Sequence, residues 1–220
     1  MNFAIIAQQL VSGMGSSLMI FVLTLLFSMP LGLLVAFGRM SKIKPLQAVI
    51  KVFIAILRGT PLMLQLLVVN FAPYYLFRIS LPRWYRFAAI IIGFSINYAA
   101  YFAEIYRSGI ESIPKGQYEA ASVLGYNKNQ TFFRIIFPQM VKRVLPPVTN
   151  EVITLVKDTS LARIIALQEI IWAGQAFMKG SQGISGAIWP LFFTAVYYLI
   201  FNGVLTVLLG QLEKKLDYFR

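Results

Sequence analysis

Long apolar runs separated by short polar stretches set the pattern of this chain. Leu18 to Phe37 is the first. As a helix it is about 30 Å long at 1.5 Å per residue, enough to cross a bilayer, and Pro30 should kink it. Leu46 to Phe77 is long enough for a second crossing but is interrupted at Arg58-Gly59-Thr60-Pro61. A break inside a span is tolerated only where protein or a wet cavity covers the backbone. A simple proline kink is the other reading. Arg86 to Arg107 is the third run. Ser95, Ala99 and Ala103 repeat along it at four-residue spacing, which lets another helix pack closely. Asn97, Tyr101 and Glu104 fall on roughly the opposite face.

The fourth run is the hardest to place. Pro146-Pro147 can start a helix, but Val148 to Val156 is too short and too polar to cross alone. It must run on through Lys157-Asp158-Thr159 into Leu161 to Leu167, or break there, with its polar residues facing the protein interior. Gln168 to Ser185 is expected outside, loosened by Gly174, Gly180, Gly183 and Gly186, and Ile188 to Leu209 is the fifth run. Met1 to Val11 is weakly amphipathic, with Phe3, Ile6 and Leu10 on one face. It lacks the basic start of a signal peptide and reads as a membrane-surface helix. The expected fold is an all-α polytopic membrane protein, a single domain over 1–220 with five transmembrane helices.

Between the third and fourth runs lies a polar loop, about 111–138, whose core reads EAASVLGYNKNQTFFRIIFP from Glu119 to Pro138. It predicts two short helices with a hinge. Gln117 to Leu124 is helix-compatible, and Gly125 suits a left-handed stop. Asn127 can cap a second helix, with Gln130 reaching back to it. Phe132, Ile135 and Ile136 would share a face of that helix, and Pro138 would limit it.

Charge orients the runs. The chain is 58% hydrophobic, only 13% charged, and has a net charge of +12. A soluble domain carries about 25% charged residues. Thirteen of the twenty Lys and Arg lie in 39–51, 107–143 and 211–220, five in 78–86 and 160–188, and Arg58 and Lys157 within spans. The positive-inside rule then puts the loop and the C-terminus in the cytoplasm and the N-terminus outside. Arg78, Arg83 and Arg86 run against the rule. The bases sit at the ends of apolar runs, so anionic lipid, not nucleic acid, is their expected partner. With no Cys and no His, disulfides, zinc sites and histidine acid–base catalysis are excluded. No Gly-Lys dipeptide occurs, so there is no Walker A loop, and any ATP must bind another chain.

Charges inside spans cost about 2.5–3.5 kcal/mol each on insertion scales. Glu104, Glu151, Lys157 and Asp158 lie in or near spans. Asn150, Thr154 and Lys157 share one helical face, with Glu151 and Asp158 on the adjoining one. Either these groups pair structurally with one another, or they line a polar pocket. In a pocket, carboxylates would receive an ammonium group, and backbone amides at a helix break would receive a carboxylate.

The letters carry a resemblance. Glu119-Ala120-Ala121, Gly125, Ile135 and Pro138 resemble the coupling-loop signature of the membrane subunits of ATP-driven (ABC) importers. Arg58-Gly59-Thr60-Pro61, Ala103 to Ile110, Ser112 to Gln117 and Lys157-Asp158-Thr159-Ser160-Leu161 are similar to the amino-acid permease branch, of the histidine, glutamine and arginine kind. The likeness runs from Gly13 to Leu212; Phe137 departs from it, where Leu is more usual. It implies the type I importer permease fold with a cytoplasmic coupling helix, in a bacterial cytoplasmic membrane. It implies a translocation path lined by Thr60, Met63, Gln65, Asn97, Glu104 and Asp158, with a polar or basic amino acid as cargo. It also implies that the elbow docks into a groove on an ATPase subunit. Glu119 would bear on the rim, Ala120 and Ala121 would allow close approach, Leu124 would be an apolar plug, and Gly125 would set the bend. The implied partners are two ABC ATPase subunits, a second permease subunit, an extracytoplasmic solute-binding protein and membrane lipid. ATP and Mg would sit on the ATPase, and no cofactor or metal in this chain. The rival readings are an ion-coupled secondary transporter and a non-transporting membrane scaffold.

Overall fold

The apolar run at the N-terminus does not stop where its small residues would end a helix in water. In the computed structural model, which describes residues 3–179 and 184–216, helix α1 runs unbroken over Phe3–Arg39, with Pro30 inside it. The surface helix expected over Met1 to Val11 is, from Phe3 on, the first part of this rod. The reason is packing. Gly13 lies so close to a later helix that a Cβ there would meet Ile170 Cα at 2.8 Å.

Helices α2 (Lys44–Gly59) and α3 (Leu62–Phe77) follow, and their axes bend by 108° at the junction. The interruption is therefore a true break and not a proline kink. Helix α4 (Tyr85–Glu111) lies at the centre, packed on α1, α2 and α3. Ile90, Phe94, Tyr98 and Phe102 are wholly or almost wholly buried along it. The small face read from the sequence is the α1 contact: a Cβ on Gly32 would come within 2.8 Å of Phe102 Cβ and 3.1 Å of Ala99 O. Close backbone approach through small residues is how helices associate where lipid removes the hydrophobic drive.

The elbow contains α5 (Lys115–Val123) and α6 (Lys128–Thr131). Phe132 to Ile136 then forms a π-turn that leads directly into α7 (Phe137–Asp158). Pro138 does not limit a second elbow helix as the sequence suggested. It begins α7, and the wider turn before it has the Phe137 N–H reaching back to Phe132 O. Pro146 and Pro147 lie inside α7 and do not start it. A 3₁₀ segment, Thr159–Ile165, follows at the Lys157-Asp158-Thr159 position, so the fourth run breaks there. The stretch expected to be loose beyond Gln168 contains α8 (Ile170–Lys179) instead. Its first N–H groups are taken up by Glu169, whose carboxylate accepts from Ile171 at 2.7 Å and Trp172 at 2.8 Å. Gly180 and Gly183 fall outside the described residues. Helix α9 (Ile184–Leu216) closes the chain.

By length and hydropathy, α1, α4 and α9 can each cross a membrane, and the bent α2–α3 pair brings the number to four. The fourth expected run, α7, is not among them, since Lys142, Arg143, Glu151, Lys157 and Asp158 make it too polar. Yet its 22 residues give about 33 Å of helix, and it packs along α4 and α9. Leu26, Leu34, Leu199 and Val207 on α1 and α9 stay exposed, as faces turned to hydrocarbon would.

Gly32→Val should overpack the α1–α4 crossing and cost about 1–3 kcal/mol. Thermal unfolding in detergent checks this. An unchanged midpoint would mean the crossing is looser than described.

Candidate functional site

The break between α2 and α3 follows from four letters. Gly59 is a poor helix residue, and Pro61 offers no N–H and pushes the residue before it out of the helical region. Thr60 is accordingly extended, at φ −120° and ψ 147°. The break frees carbonyls that must be satisfied inside the protein. Thr60 Oγ1 donates back to Ile56 O at 2.8 Å. The Gln65 side-chain amide donates to Leu57 O at 2.9 Å and lies 2.8 Å from Thr60 Oγ1. From α4, the Asn97 amide donates to the same Leu57 O at 3.2 Å and to Gln65 Oε1 at 2.9 Å. Three of the sequence-predicted residues, Thr60, Gln65 and Asn97, are thus one hydrogen-bonded unit. Asn97 is buried, Thr60 is exposed, and Met63 stands exposed beside them. Pro61 supplies no side-chain cap; its carbonyl accepts from Leu64 and Gln65 N–H, which leaves the N–H groups of Leu62 and Met63 without a backbone partner among the described residues.

A second break lies alongside, because the 3₁₀ segment after α7 packs against α3. At its start Asp158 is half-buried and accepts the Tyr98 hydroxyl at 2.7 Å. Glu151 lies two turns earlier on α7, about 10 Å away along the axis. Arg58 stands over the Tyr101 ring at 5.2 Å, a cation–π contact, and acts electrostatically on Glu151. Nothing in the sequence pairs Tyr98 with Asp158 or Arg58 with Tyr101. Both pairs join helices far apart in the chain.

Glu104, two turns beyond Asn97 on α4, is ion-paired. It was placed with the lining by resemblance, but its carboxylate meets Arg107 at 2.7 Å and Arg39 at 3.7 Å. Arg107 also holds Glu111. This is an ion-paired clasp where the ends of α1 and α4 meet.

The elbow is built as its caps predict. Gly125 has φ +75°, and the N–H groups of Gly125 and Tyr126 close on Ser122 O and Ala121 O, both at 3.0 Å. That double bond pattern is the Schellman motif, which needs the left-handed residue. Asn127 Oδ1 accepts from Gln130 N at 2.9 Å, and Gln130 Oε1 accepts from Asn127 N at 3.0 Å, a complete capping box. Gln139 donates to Gln117 across the elbow at 3.2 Å, and Arg143 donates to Ser112 O. Ala121 is wholly buried within the elbow. Glu119 and Ala120 are exposed. Val123 is 88% and Leu124 73% exposed, an apolar pair at the turn with no cover of its own.

The profile of the family described as "binding-protein-dependent transport system inner membrane component" matches residues 28–218. The L-cystine transport system permease protein TcyB of Bacillus subtilis is 36% identical over 198 residues, 90% of this chain and 82% of that protein. The glutamine transport system permease protein GlnP of Escherichia coli K12 is 36% identical over 213 residues, 94% of this chain and 92% of that protein. Among solved structures, an amino acid ABC transporter crystallised with histidines superposes with a TM-score of 0.86 at 28% identity, covering 97% of both chains. The MetNI methionine ABC transporter shares the fold at a TM-score of 0.71 and 16% identity.

Asn97→Val removes one of two donors to Leu57 O and leaves the Gln65 carbonyl unpaired, which should cost about 1–3 kcal/mol. Gln65→Leu should cost a similar amount. The double variant should cost less than the sum, because both act on one carbonyl. Thermal midpoints of the four proteins form the cycle. Strict additivity would mean the two amides act independently.

Proposed function

The chain belongs to the family of binding-protein-dependent transport system inner membrane components, and from that premise we propose how it moves its cargo. It is a permease subunit of an amino-acid ABC importer. Two such subunits, identical or paralogous, enclose a path for a polar or basic amino acid, and five crossings per subunit put the N-terminus outside and the C-terminus in the cytoplasm. ATP and Mg are held by two separate ATPase subunits. A solute-binding protein delivers the cargo from the other side. An ion-coupled carrier or a passive scaffold is not favoured, since relatives named as ABC permeases align with nearly the whole chain.

The observation that carries the reading is the stitched break at Thr60-Pro61. A zwitterion needs a partner for each charge. The open amide end of α3 suits its carboxylate, by the helix dipole and the unpaired N–H groups. The Asp158 and Glu151 carboxylates suit its ammonium group and any side-chain cation. Thr60, Met63, Gln65 and Asn97 shape the space between. Glu104, held by two arginines, steadies the end of the path and does not face cargo. No covalent chemistry is required of this chain. The cycle needs two states that bind the cargo differently, with ATP binding on the partner selecting between them.

The elbow is the input. Val123 and Leu124 fill an apolar groove on the ATPase, Glu119 meets its polar rim, and Ala120 allows close approach. The Schellman turn and capping box make the elbow stiff enough to pass displacement to α4 and α7, between which it is inserted.

Asp158→Asn should raise the KM for uptake at least about tenfold, from the loss of one charge-assisted contact, with normal complex yield. Unchanged uptake kinetics in proteoliposomes would make Asp158 structural. Glu119→Lys should lower ATPase association or uncouple hydrolysis from uptake. Wild-type transport by that variant would remove the elbow from the mechanism.

A further inference from the structure

The arginines that break the charge rule sit in one place. Helix α3 ends at Phe77, and Arg78 adopts a left-handed backbone at φ 56°. Its N–H and that of Ile79 bond back to Tyr74 O and Pro73 O, so the loop folds over the end of the helix. Tyr85, at the start of α4, donates its hydroxyl to Val69 O at 2.9 Å and ties the loop down. The result is a cleft of about 410 Å³ whose walls include Phe71, Tyr74, Tyr75, Tyr85, Arg83 and Arg86. Arg83 and Arg86 are exposed and have no ion pair or side-chain hydrogen bond among the described residues. The sequence offers them no acid nearby, since the first Asp or Glu of the chain is Glu104. Around the mouth Leu76, Phe77 and Trp84 are about 70% exposed (72%, 69% and 70%).

We infer that this cleft holds the phosphate headgroup of an anionic phospholipid, with its acyl chains along the exposed aromatic rim. Each guanidinium, without an ion pair among the described residues, offers a planar fork suited to phosphate oxygens. Aromatic side chains at this level are the usual lining of the membrane–water boundary. A lipid satisfies both halves of the surface at once. A soluble phosphate would leave the aromatic rim in water, and an acidic protein face would leave it without hydrocarbon. Helix α4 separates this cleft from the elbow by its full 27 residues, about 40 Å, so the two lie at opposite membrane faces. The inference rests on the proposed orientation for one point only, that the leaflet is the outer one. It also explains why arginines stand on the face where the charge rule disfavours them. Retention of a lipid, not topology, is their role.

The test uses the intact permease–ATPase complex taken from nanodiscs of phosphatidylglycerol and phosphatidylcholine. Native mass spectrometry counts the phosphatidylglycerol retained. Wild-type complex should keep it. The Arg83→Gln/Arg86→Gln variant should retain about thirtyfold less, some fivefold for each cation near the headgroup. Arg134→Gln, on the elbow, should change nothing. Millimolar inorganic phosphate should not displace the lipid. Equal retention by the double variant, displacement by free phosphate, or an effect confined to docking of the solute-binding protein would each overturn the inference. Both arginines are exposed and unpaired among the described residues, so the variant should fold with an unchanged thermal midpoint. Orientation is read separately, with Ser80→Cys as the sole cysteine. Labelling from outside by an impermeant maleimide is expected. Labelling from inside alone, with lipid retention still arginine-dependent, would overturn the outer-leaflet assignment and the orientation while the cleft's ligand stands.

Discussion

Hydrocarbon offers no hydrogen bonds, so a helix that breaks inside a membrane bundle must find every lost partner within the protein. The Thr60-Pro61 break obeys this with two amide side chains. Gln65 reaches back across the break from α3, and Asn97 reaches over from α4. Both donate to Leu57 O, and they also bond each other. Arg58 over Tyr101 and the Tyr85–Val69 hydrogen bond also join the broken span to the central helix, and the Leu57 stitch fixes it at the break itself. That point in turn is held by the close α1–α4 crossing at Gly32 and by the Arg39–Glu104–Arg107 clasp farther along α4. A bundle arranged this way can present open backbone amides without leaving the rest of the break unsatisfied.

The same helix also connects the break to the elbow. Helix α4 runs from the cleft at Tyr85 past Asn97 and Tyr98 to Glu111, and the elbow begins just beyond it. Helix α7 returns from the elbow to Glu151 and Asp158. Tyr98 and Asp158 join the two rods across the bundle. Two packed helices and one hydrogen bond thus connect the elbow with the Asp158 end of α7.

Much of this was legible in the letters, for local reasons. The elbow's caps depend on Gly125, Asn127 and Gln130, whose roles are set by neighbours three to five residues away, and they appear as read. The Ser95-Ala99-Ala103 spacing marked the α1 contact face because helix periodicity is also local. What could not be read depends on distant partners. Glu104 shares a face with Asn97; its nearer partner Arg107 is three residues on, but the approach of Arg39 from α1 is not written in the local pattern. Ala121 looked like an outer contact and is buried, because the π-turn brings Ile136 and its neighbours back against α5. Pro138 and the pair Pro146-Pro147 looked like helix limits. A wider turn accommodates the first, and packing against α4 and α9 accompanies continuation through the others. The N-terminal surface helix failed for the same reason, since Gly13 permits a contact with α8 that periodicity cannot reveal.

Accessibility at the tip of the elbow tests the account most directly. With no native cysteine in the chain, Val123→Cys gives a single reporter. An impermeant thiol reagent should modify it in inverted vesicles that hold the permease alone, not in intact cells, and ATPase subunits should protect it on assembly. Modification from the cell exterior, or equal modification with and without the ATPase, would contradict the claim that this turn receives the stroke.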